Sequence, residues 1–145
     1  MSTPTTRKSR AFTIFTHLLA GAGALFLLYM GLFYVLDPVG SAAGFGFTSW
    51  PTGDDVGMLV IKGGRDLGLG LILVVLLVTR QTRAAGWVLV AMSFMPFFDA
   101  TTVIVRDGSV ATALWVHALT AVTVLVSGLL IVWNETPRKS LPTAA

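Results

Sequence analysis

Four apolar runs, each long enough to cross a bilayer, leave this chain of 145 residues little choice of fold. They are 11–36, "AFTIFTHLLAGAGALFLLYMGLFYVL"; about 56–79; about 84–105, "AAGWVLVAMSFMPFFDATTVIV"; and about 110–133, "VATALWVHALTAVTVLVSGLLIVW". About 20 helical residues span the hydrocarbon of a bilayer. There the backbone finds no water, so its N–H and C=O groups must be satisfied within the segment, and a helix does this. The expected fold is an all-α membrane protein, a bundle of four transmembrane helices. Charged residues are 12% of the chain, against about 25% in soluble domains.

The first run also invites a signal-peptide reading, since "TRKSR" precedes it and "AGA" occurs at 20–22 and 22–24. The apolar stretch continues through "LFLLYMGLFYVL", too long for a signal core, so an uncleaved helix is expected. Its small residues Ala20 to Ala24 then read as a surface for close helix packing.

The basic residues sit at the ends of the runs. Arg7, Lys8 and Arg10 precede the first, Arg80 and Arg83 separate the second from the third, and Arg138 and Lys139 follow the fourth. The alternate segments carry Asp37, Asp54 and Asp55, then Arg106 with Asp107. The positive-inside rule places both termini in the cytoplasm of a cell-membrane protein. Trp87 and Trp133 would mark the cytoplasmic interface, with Tyr34 and Trp50 near the other. Topology thus explains the basic pI, and a nucleic-acid partner is not expected.

The tails 1–10 and 134–145 read as short, polar and disordered. The outer loop 37–55, "DPVGSAAGFGFTSWPTGDD", resists a regular helix and is long enough to fold back over the outer mouth of the bundle. The absence of cysteine excludes disulfides and thiol chemistry. Two histidines without a neighbouring carboxylate argue against a metal site, and no cofactor motif is present.

The second run opens with "IKGGRDLGLG", where Lys62, Arg65 and Asp66 share a helix face. Lys62 and Asp66, four apart, can pair along it. Gly64 and Gly68 suggest a small-xxx-small contact surface, and the glycines together suggest a kink. Asp99 in the third run and His117, about 10 Å into the fourth, fall at the same outer level. His17 does not. Pro96 bends the third helix beside Asp99, and Met95 and Phe98 surround the bend with adaptable apolar surface.

The pattern "KGGRDLGLG", "FFDA" and "WVHA" resembles a family of small four-helix membrane proteins of bacteria and fungi. In architecture it is also similar to the broader DoxX-like four-helix proteins. These resemblances imply the bundle and the choice of residues, and no substrate or reaction.

Three functional readings follow. A charge at the bilayer centre costs about 2.5–3.5 kcal/mol on insertion scales, which favours a working role. In the first reading the outer layer is a site for a lipophilic small molecule, with acid–base chemistry of an isomerase, cyclase or epoxide-opening type. Asp99, Asp66 and Arg65 would be catalytic, and Lys62, His117, Met95 and Phe98 would bind the ligand. In the second, the protein is a non-enzymatic subunit whose ion pairs fix helix register. In the third it relays protons or ions, which with four helices calls for a homo-oligomer. Membrane lipids are its partners in every case.

Overall fold

A computed structural model describes residues 9–135, all helix and connecting loop, with no strand among them. Helix α1 is Arg10–Leu36, α2 the short Pro38–Ala43, α3 Gly57–Val78, α4 Thr82–Val105 and α5 Val110–Glu135. Helices α1, α4 and α5 are long and apolar enough to cross a membrane, and the chain is a membrane protein. Helix α3 has 22 residues but carries Lys62, Arg65 and Asp66 in its first half. The expected tails lie mostly outside the described residues. At their inner edges Ser9 caps α1, its hydroxyl accepting from the Phe12 N–H, and α5 continues through Asn134 and Glu135.

The helices form two antiparallel pairs, α1 with α3 and α4 with α5. Each pair closes on reciprocal glycines. A Cβ on Gly63 would stand 2.7 Å from the Gly31 carbonyl oxygen, and one on Gly31 would stand 2.6 Å from the Leu67 nitrogen. In the second pair, a Cβ on Gly128 would stand 2.7 Å from the Gly86 carbonyl oxygen. Such contact of backbones is the usual way helices associate in lipid, where apolar burial gives no preference for protein over tails. Gly64 and Gly68, expected to make this contact, have open space where a Cβ would be. The interface is one residue out of phase with that expectation: Gly63, Gly70 and Leu73 are the buried positions of α3. Helix α3 runs without a break in its helical assignment from Gly57 to Val78.

Many large apolar side chains face out of the bundle. Ala20, Ala24, Leu73, Ala85, Leu89 and Ile131, from all four long helices, form a core toward the end where the described chain begins and ends. Leu25, Tyr29, Val78 and Trp115 are among many large side chains that are more than half exposed. This arrangement suits a lipid surround. Beyond the core at that end, a polar cluster ties three helices. Asn134 Nδ2 donates to Thr16 Oγ1 at 3.2 Å, and His17 Nε2 lies 3.3 Å from Thr82 Oγ1.

Helix α4 breaks at Ser93 into Thr82–Met92 and Phe94–Val105. Pro96 has no N–H for the Met92 carbonyl, and the next bond, Phe97 N–H to Ser93 O, is stretched to 3.4 Å. The second half packs on the start of α5, where Ala113–Ala118 form a π-helical turn and the Leu119 N–H reaches back to the Leu114 carbonyl.

The 37–55 connection is more regular than its composition suggested. Asp37 caps α2, its Oδ1 accepting from the Gly40 N–H at 2.9 Å, and Pro38 takes the first helical position, where no N–H is needed. A 3-10 turn over Gly53–Val56 leads into α3. Between them the chain is pinned to the α4–α5 turn, the Ser109 N–H donating to the Gly46 carbonyl at 2.7 Å. Gly46 has a φ of +106°, a conformation that favours glycine.

Candidate functional site

Toward the end of the bundle away from the described termini, a cavity of about 970 Å³ is lined by residues of both helix pairs. Lys62, Arg65, Asp66, Met95, Phe98, Asp99 and His117 all line it. Three separate helices supply them, brought level by the antiparallel pairing. Gly40, Ser41, Gly44 and Phe45 line the same cavity, so α2 and the turn after it form a cap at this end.

The four charges are not equivalent. Lys62 Nζ donates to Asp66 Oδ2 at 2.7 Å, an ion pair one turn apart on α3. The ammonium also stands 4.3 Å from the centre of the Tyr34 ring and 6.0 Å from that of Phe45, both within cation–π range. Arg65 faces outward at the cavity wall, and among the described residues it has neither a hydrogen bond nor an ion pair. Asp99 likewise has neither, though Lys62, His117 and Asp66 are close enough for their charges to act on it. No pair of Arg65 with Asp66 or Asp99 forms.

His117 is buried within the π turn, and its Nε2 lies 2.7 Å from the Phe45 carbonyl oxygen. A carbonyl can only accept, so Nε2 carries the proton. In the neutral ring Nδ1 is then an acceptor, and it has no partner among the described residues. The Phe45 ring packs on the imidazole with centroids 4.4 Å apart, and Phe47 and Trp50 extend the aromatic cluster over the cap. π turns cost helix stability and recur where a side chain must be aimed.

Tyr34 is the residue the sequence reading misplaced. It is buried under Lys62 and lines the cavity, rather than anchoring an interface. A sufficient signal existed: Ala20, Ala24, Gly31 and Tyr34 fall on one stripe of α1 at spacings of four, seven and three. The Phe45 carbonyl, a backbone group in an irregular segment, left no such signal.

Below this polar layer the walls are apolar. Met30, Leu27 and Phe26 of α1, Leu69 and Ile72 of α3, and Met92 of α4 continue the cavity toward the inner core. Among the described residues no three His, Cys, Asp or Glu side chains are grouped to hold a metal ion.

A family model described as a domain of unknown function, DUF4267, matches residues 24–131. The chain belongs to that family. The DUF4267 region takes in the charged layer, the cap and the bend at Pro96, while His17 and Asn134 of the inner polar cluster lie outside it. No curated protein and no solved structure matches the chain.

Proposed function

We propose that this DUF4267 protein binds a lipophilic small molecule in the outer half of the bundle and acts on it by acid–base chemistry. The observation that carries this reading is the cavity itself: about 970 Å³, apolar along most of its walls, with the unpaired Asp99 carboxyl at its polar end. Ligand sites have this make-up, a mostly apolar cleft with a few convergent polar groups. Asp99 is the group that exchanges a proton with the ligand. The Lys62–Asp66 pair holds a fixed dipole beside it, and His117 Nδ1 offers a second proton partner across the cavity. An isomerisation balances with these parts alone: Asp99 takes a proton from one atom of the ligand, the electron pair shifts along the molecule, and the proton returns at another.

In the same reading α3 is a fourth span, Lys62 and Arg65 both standing at the charged end of the cavity, and the termini lie in the cytoplasm of the cell membrane. The basic residues flanking the runs support this placement.

The other readings draw less support. An ion pair that fixes register must join two helices, and Lys62 and Asp66 lie on one. A relay needs polar groups through the membrane, and the core of Ala20, Leu73, Leu89 and Ile131 separates the charged layer from the His17 cluster.

The test is extraction and mass spectrometry of whatever the purified protein retains, compared with Gly68→Phe. Gly68 lines the cavity and has open space for a side chain, so the ring fills the site without distorting the helix. A lipophilic compound retained by the natural chain and lost from the variant is the expected result. Identical extracts would count against the site.

A further inference from the structure

The cavity has two chemically distinct ends. Its cap end holds Lys62, Arg65, Asp66, Asp99 and His117, and its inner end holds none of these. From Tyr34 to Gly23, both at the cavity wall, α1 covers about 16 Å at 1.5 Å per residue. The cap closes the outer end and the alanine-rich core closes the inner one. The lining side chains of Phe26, Ile72, Phe94 and Val116 are nearly half exposed or more, so the cavity is not sealed. On its wall stands the exposed Arg65, a cation that among the described residues no carboxylate neutralises. A guanidinium presents a planar fork of donors that matches a carboxylate, and such a pair strengthens out of water.

Resting on the function proposed above, we infer that the ligand is a long-chain carboxylic acid drawn from the bilayer. Its carboxylate is held by Arg65 at the cap end of the cavity. Its chain runs along Leu27, Met30, Leu69 and Ile72 toward the core. Lys62 is already neutralised by Asp66, so an anionic head finds its partner in Arg65. The first carbons of the chain then lie on the side of the cavity that holds Asp99, whose carboxyl has no ion pair among the described residues. Arg65 thereby binds negative charge already present on the ligand.

The experiment uses the full chain in detergent with tritiated hexadecanoate and, as a neutral counterpart, hexadecan-1-ol. The acid is expected to bind at least about tenfold more tightly, equivalent to about 1.4 kcal/mol. Arg65→Gln is expected to abolish this preference while leaving the alcohol unchanged, and Arg65→Lys to restore part of it. Gly68→Leu should weaken both ligands. Equal binding of acid and alcohol, unaffected by Arg65→Gln but weakened by Gly68→Leu, would overturn the carboxylate and leave the cavity reading standing. Binding of neither ligand, or binding of both that ignores Gly68→Leu, would overturn the two together.

Discussion

Asp66 and Asp99 stand at one level of the bundle and meet different neighbours. Asp66 is the carboxylate that neutralises Lys62, and its side chain is only 14% exposed. Its removal leaves an ammonium against two aromatic rings with no counter-charge. Asp66→Asn is therefore expected to destabilise the protein by about 1–3 kcal/mol in detergent unfolding. This falls below the roughly 3–5 kcal/mol for breaking a fully buried pair, because a third of the Lys62 side chain reaches solvent. The double variant Lys62→Met with Asp66→Asn should recover most of the loss. No recovery would mean that Asp66 acts through groups other than Lys62. The ion pair was legible from a spacing of four residues. That Arg65 and Asp99 stay unpaired was not, because pairing between helices depends on rotation about the axis, which charge content does not set.

At the scale of elements, apolar length alone located the long helices, since lipid permits little else. Their faces were harder to read. The stretch "KGGRDLGLG" offers two phases of small residues, and the chain uses Gly63 and Gly70 rather than Gly64 and Gly68. The phase is decided by the partner, for Gly31 must meet a residue without a Cβ. Gly63→Ala is expected to cost at least about 2 kcal/mol, since its methyl would overlap the Gly31 carbonyl. Gly64→Ala should be neutral or stabilise by up to about 1 kcal/mol, as for a glycine in a helix interior. Equal effects in thermal unfolding would mean that the helices meet on another face. The cap shows a further limit of sequence. Its glycines read as loop, yet Asp37 and Pro38 form a helix start, and the turn after α2 owes its position to hydrogen bonds from Ser109 and His117, far along the chain.

For the whole molecule, the many large apolar side chains exposed on the exterior suit a lipid surround. The proposed orientation has a direct test, helped by the absence of native cysteine. Ser49→Cys in the cap connection should react with a membrane-impermeant maleimide on intact cells. Ser9→Cys, and Gln81→Cys between α3 and α4, should react only after permeabilisation. Ser9 and Ser49 reacting alike would contradict an odd number of crossings between them and exclude the proposed topology.

The central claim is that the chain keeps an unpaired carboxyl at the head of an apolar cavity for a ligand rather than for its own stability. The most direct measurement is the thermal unfolding of Asp99→Asn beside that of the natural chain, with the retained lipophile extracted from each. The account predicts an unchanged or raised unfolding temperature together with loss or altered turnover of the retained compound, as when a costly functional charge is removed. A lowered unfolding temperature, recovered when Lys62→Met or Arg65→Gln is added, would contradict it and make Asp99 part of a structural ion network.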